Sequence, residues 1–145
     1  MPIRRVTPQE AADLLAEGWT YVDVRTIPEF EAEHPRGAFS VPLLHQGQAG
    51  RTANPDFVSV MESAFGHGAR IVVGCASGSR SRRAAEALAD AGFDDVVDMR
   101  GGFNGESDSM GRVVTPGWKA VGLPTATAAE PGHGYEDLKK RGGAV

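Results

Sequence analysis

One cysteine, Cys75, in 145 residues leaves no internal disulfide to brace the chain. Lysine and arginine form no tract and no basic stripe interleaved with aromatics, and the formal net charge is −4, so nucleic acid is not an expected partner. No apolar run approaches the roughly 18 residues that span a bilayer, so no membrane partner is expected either. The opening Met1-Pro2-Ile3-Arg4-Arg5 lacks the apolar core of a signal peptide. An unpaired thiol without an export signal leads to the expectation of a cytoplasmic, reducing location. His34, His45, His67 and His133 show no metal-ligand spacing, so no metal is expected. There is no internal repeat.

What is present suits one globular domain: 41% of residues are hydrophobic and 23% charged, with 19 glycines to make turns. Ile3 to Val6 reads as a short strand. Thr7-Pro8-Gln9-Glu10 reads as a helix start, with Thr7 capping, Pro8 at the first helical position and Glu10 completing a capping box. Trp19 to Val24, Gly37 to Val41, Ile71 to Gly74 and Val96 to Met99 read as strands. Pro28-Glu29-Phe30 opens a helical turn. A helix runs from Asn54-Pro55 to about Phe65, and another from Ser81 to Ala91, closed by Gly92. Residues 43 to 54 read as loop, and residues 125 to 145 as a loose tail in preference to a helical turn or two over Gly134 to Arg141. Alternating strands and helices, with central strands that lack a polar face, predict an α/β fold: a mostly parallel sheet with helices on both faces. Ligands of such sheets sit at the carboxyl ends of the strands, where Asp23, Cys75 and Arg100 would lie.

The segment from Ile71 to Ser81 concentrates the chemistry. An apolar strand ends in the only cysteine, a small polar loop follows, and Arg80 comes as a helix begins. Ala76, Ser77, Gly78 and Ser79 let the backbone curl and turn its N–H groups inward as an anion nest. A helix N-terminus stabilises an anion by roughly 0.3–1 kcal/mol, up to about 2 when partly buried, so the loop amides and Arg80 must supply the rest. Such a cradle favours the thiolate, which is the nucleophilic form. The alternative is an inert cysteine filling the core. Flanking Gly, Ser and Arg would be a poor way to build an apolar interior.

The chain resembles the single-domain rhodaneses, which are sulfurtransferases. The matching segments are Tyr21-Val22-Asp23-Val24-Arg25 with Pro28-Glu29-Phe30, His34 to Leu43, Cys75 to Arg80, Ala91-Gly92-Phe93 and Arg100-Gly101-Gly102-Phe103, in that order. The resemblance implies a rhodanese domain over residues 1 to 124 and a persulfide intermediate on Cys75. It implies a loop, Ala76 to Arg80, whose backbone holds the transferred sulfur. It also implies a small sulfur-donor anion such as thiosulfate, a cyanide, thiol or protein acceptor, and no metal or organic cofactor.

Some features depart from the family pattern or stay open. Ala76 stands where thiosulfate-preferring rhodaneses often carry a basic residue, so Arg25, Arg36 or Arg82 would have to compensate. Asp23 and Arg25 either shape the anion pocket or form an ion pair, Arg25 with Glu29 or Asp23 with a loop arginine. Ser81 and Arg100 are supporting candidates, Arg100 as a second substrate contact. Residues 103 to 117 are an insertion, either a lid over the thiol or a surface excursion. A cysteine phosphatase or arsenate reductase is a competing reading, but those loops place five residues between cysteine and arginine, and here there are four. A sulfur carrier or interaction module is a third.

Overall fold

The computed structural model describes residues 3–143. In chain order the elements are β1 (Arg4–Val6), α1 (Pro8–Ala16), β2 (Thr20–Asp23), α2 (Ile27–Ala32), β3 (His34–Pro35), β4 (Phe39–Ser40), β5 (Leu44–Gly47), β6 (Gly50–Ala53), α3 (Phe57–Ala64), β7 (Arg70–Gly74), α4 (Ser79–Asp90), β8 (Asp95–Met99), β9 (Glu106–Ser107), β10 (Val113–Thr115), β11 (Thr125–Ala126) and α5 (Tyr135–Gly143). Five strands form one parallel sheet in the order β1-β8-β7-β2-β4. Among the described residues no helix is long and apolar enough to cross a membrane.

The sheet is buried on both faces because its central strands are apolar at successive positions. Ile71 and Val73 of β7 face one way with Val22 and Val96, against α3, α4 and α5. Val72 faces the other way with Tyr21, Val97 and Met99, against α1, Phe30, Phe103 and Trp118. Ala84, Ala85 and Leu88 give α4 a small, fully buried inner face, which lets it lie close to β7 and β8. The α/β reading of the sequence therefore holds. The α1 cap also forms as predicted: the Glu10 N–H donates to Thr7 Oγ1 at 3.2 Å, and the Thr7 N–H donates to Glu10 Oε1 at 2.9 Å.

Two segments differ from expectation. Residues 43 to 54, expected as loop, contain the antiparallel hairpin β5–β6, turned at Gln48-Ala49. Residues 125 onward, expected as a loose tail, carry β11 and α5, and both belong to the packed body. β11 pairs with β3, and the Ser40 N–H donates to the His133 carbonyl at 2.9 Å. The His133 ring stacks on Phe39 at 3.7 Å. Tyr135 and Leu138 bury α5 against α3, and the Tyr135 hydroxyl accepts from Asn54 Nδ2 at 3.1 Å. Ala144 and Val145, the end of that expected tail, lie outside the described residues.

Candidate active site

Cys75 follows β7 at the carboxyl edge of the sheet, and α4 starts at Ser79, two residues earlier than the sequence suggested. The chain makes this turn through Gly78, which caps α4 at φ +109°, in the left-handed region that suits glycine. The Gly78 N–H donates to Cys75 Sγ at 3.1 Å. Cys75 is only 1% exposed, yet its sulfur meets a backbone donor and the first turn of a twelve-residue helix. Ser77 and Ser79 are exposed and form the outer wall of the loop, while Ala76 is half-buried.

The loop is fixed from behind by the Gly101-Gly102 turn. The Phe103 N–H donates to the Cys75 carbonyl at 2.7 Å, and the Asn104 N–H donates to the Ala76 carbonyl at 2.8 Å. With both carbonyls engaged by the turn, the Gly78 amide is the loop donor seen at the sulfur. Gly102 has φ +57°, and a Cβ there would collide with the Cys75 and Ala76 backbone, so only glycine allows this approach. Gly74 is crowded by a side chain instead: the Tyr21 hydroxyl occupies the place where its Cβ would go.

Arg80 is not the free cation that the sequence suggested. Its guanidinium donates twice to the Glu29 carboxylate, at 2.7 and 3.1 Å, and Arg51 of β6 lies 3.5 Å from the same group. Glu29 also accepts from the Thr26 N–H and hydroxyl. Burial pushes the Glu29 carboxyl up, but Arg80 and Thr26 outweigh it and bring it down to about 2. Arg80 therefore ties the end of the loop to α2.

Asp23 and Arg25 form a buried pair with each other, rather than with Glu29 or a loop arginine: Arg25 Nε and Nη2 donate to Asp23 at 3.0 and 2.7 Å. Burial works against the Arg25 charge, and the Asp23 carboxylate more than restores it, so the guanidinium stays above its usual range. Arg25 also donates to the Glu33 carbonyl at 2.6 Å and lies over the Phe103 ring, 4.7 Å from its centroid. The pair is thus a strut beneath the glycine turn. Arg100 turns away from the role expected of it: its side chain is 45% exposed and lies 3.9 Å from Glu106. Residues 103 to 117 carry the hairpin β9–β10, with Met110, Val113 and Val114 exposed on it. Among the described residues no cluster of His, Cys, Asp or Glu could hold a metal.

The sequence reading missed Asp98. Its buried carboxylate accepts from Ser81 Oγ and from Arg5 Nε at 2.8 Å, and Cys75 Sγ lies 3.5 Å from Ser81 Oγ. A carboxylate set between Val97 and Met99, in the buried part of β8 beyond its exposed first residue Asp95, was the available signal.

A parallel α/β sheet that offers one cysteine to a backbone cradle at a helix N-terminus defines a class of domain organised around a held thiol. The model of the Rhodanese-like domain matches residues 7–108, and the chain belongs to that family. It is 42% identical over 115 residues to thiosulfate sulfurtransferase 16, chloroplastic, of Arabidopsis thaliana, covering 79% of this chain and 86% of that protein. It is 34% identical over 107 residues to the same plant's protein HIGH ARSENIC CONTENT 1, mitochondrial, covering 74% of this chain and 63% of that protein. Of two further plant relatives the chain spans about half, 51% of each. Among solved structures, that of Rv0390 from M. tuberculosis superposes with a TM-score of 0.73 at 28% identity, covering 88% of this chain and all of that one.

Proposed function

We propose that the protein is a sulfurtransferase that carries sulfane sulfur on Cys75. The observation that carries this reading is the Cys75 to Arg80 loop, with its sulfur held by the Gly78 amide at 3.1 Å and its carbonyls drawn off by the turn behind. The thiolate attacks the outer sulfur of a donor such as thiosulfate. The S–S bond to sulfite breaks, and sulfite leaves with the bonding pair. Cys75 keeps the sulfur as a persulfide anion, which the loop amides and the α4 N-terminus stabilise. A thiophilic acceptor, cyanide in the test tube or a thiol on a small molecule or protein, then attacks the outer sulfur and releases the Cys75 thiolate. Two half-reactions give ping-pong kinetics. The relative named thiosulfate sulfurtransferase supports the choice of donor. Ala76 supplies no second cation to a thiosulfate dianion, so donors other than thiosulfate belong in the test.

The relative named for arsenic content makes arsenate reduction the reading to set against this one. The loop length favours sulfur: four residues separate Cys75 from Arg80, a ring that fits one atom better than a tetrahedral oxyanion. The deciding experiment is a thiocyanate assay with several sulfur donors, run beside arsenate and an aryl phosphate. Thiocyanate should form, and intact-protein mass should rise by one sulfur atom on Cys75. Cyanide should remove that mass, and Cys75→Ser should never acquire it. Turnover of arsenate or aryl phosphate without thiocyanate would replace the proposal.

A further inference from the structure

Behind Cys75 runs a buried line of polar groups that the sulfur-transfer scheme does not use. Cys75 Sγ sits 3.5 Å from Ser81 Oγ in donor geometry, and the Ser81 hydroxyl donates to Asp98. Arg5 closes the line with a 2.8 Å bond from Nε to the other carboxylate oxygen. Ser81 and Asp98 are fully buried, so water does not supply alternative partners.

A serine hydroxyl has one proton to give. The Asp98 carboxylate can only accept, and a Cys75 thiolate can only accept. Both therefore compete for the same proton, with the Gly78 carbonyl a longer third acceptor at 3.3 Å, and the shortest contact, to Asp98, shows where it is held. We propose that Asp98 is a positioning residue that restrains the nucleophile: by fixing the Ser81 proton on itself, it leaves the resting Cys75 thiol donating to Ser81 and denies the thiolate its side-chain donor.

Charge acts in the same direction, because two anions one hydroxyl apart disfavour each other. The charged and titratable groups around the line are Arg5 from β1, Tyr21 and the Asp23–Arg25 pair from β2 and the turn after it, and Arg80 and Arg82 from α4. Burial holds the Asp98 carboxyl above its usual range, although Ser81 and Arg5 both pull it down. Protonating Asp98, or replacing it with an amide that can donate to Ser81, turns the Ser81 proton toward the sulfur.

The inference rests on Cys75 being the reacting thiol, and it is tested without any sulfur donor. Iodoacetamide alkylation of Cys75 is followed against pH in wild type, Asp98→Asn, Ser81→Ala and the double variant. Asp98→Asn should move the alkylation midpoint down by about one pH unit, the scale at which neighbouring ionisations become coupled. The shift should shrink in the Ser81→Ala background, because the restraint passes through that hydroxyl. An unmoved midpoint, or one moved up as removal of a base would do, overturns the proposal. If Asp98→Asn does not fold, the wild-type protein decides. The carboxyl carbon resonance of Asp98 should inflect at the pH where Cys75 ionises, and lose that inflection once the sulfur is alkylated. A resonance indifferent to alkylation overturns the proposal too. None of these outcomes depends on whether thiosulfate is a substrate.

Discussion

Arg80 and Glu29 join two segments fifty-one positions apart in sequence, and the pair is more structural than either residue suggests alone. The Glu29 carboxyl is lowered from an ordinary 4.5 to about 2. The folded form therefore holds this proton more weakly than the unfolded chain. The stabilisation is complete above about pH 4.5 and is lost as the pH falls through about 2. Urea unfolding of wild type should lose free energy over that interval. Glu29→Gln should be less stable at neutral pH and show a flatter acid limb, and equal slopes for the two proteins would contradict the assignment. At this scale the sequence marked the candidate nucleophile and its loop, because Cys75 is unique and stands between an apolar strand and a helix. It did not reveal what Arg80 does. A guanidinium near a thiol reads as an anion ligand until a carboxylate on another element is found to hold it.

At the scale of elements, the parallel strands and main helices were legible, because apolar runs and capping signals mark them locally. Two elements were not. The β5–β6 hairpin is mostly polar and exposed, lacks β-branched alternation, and turns at Gln48-Ala49 without an Asn-Gly signal. α5 has a negative mean hydropathy over its length, and among its described side chains Tyr135 and Leu138 are the buried ones. Its helical state depends on tertiary contact with α3, which no local pattern reports. Leu138 is fully buried in the core cluster, so Leu138→Ala should destabilise the protein by roughly 2–5 kcal/mol in a denaturant titration. A loss below about 0.5 kcal/mol, the range of exposed positions, would return this segment to the status of a tail.

At the scale of the whole molecule, most of the large exposed apolar side chains belong to one hairpin. Met110, Val113, Val114 and Val121 are the large exposed hydrophobics of the described residues, and three of them ride on the β9–β10 hairpin or its tip. The hairpin is rooted at the glycine turn: the Thr115 side chain and the Pro116 carbonyl crowd Gly101. Deleting residues 107 to 113, which spares the Asn104 bond behind the thiol loop, should raise KM for a protein or bulky thiol acceptor while leaving cyanide turnover within about twofold, the pattern of lost uniform binding. Unchanged constants for every acceptor would make the hairpin a passive insertion. The form of this segment as a hairpin was not readable, since Val113 to Thr115 is the only strand-like run within it.

The backing of the thiol loop by Phe103 and Asn104 also sets how this site can be altered. Its rear wall is peptide against peptide and leaves no side chain to exchange, whereas Ser77 and Ser79 look outward with nothing leaning on them. Whoever wishes to retune the preference for incoming molecules has a narrow but forgiving canvas on the solvent side. Diversity introduced at Gly101 or Gly102 would return mostly broken scaffolds.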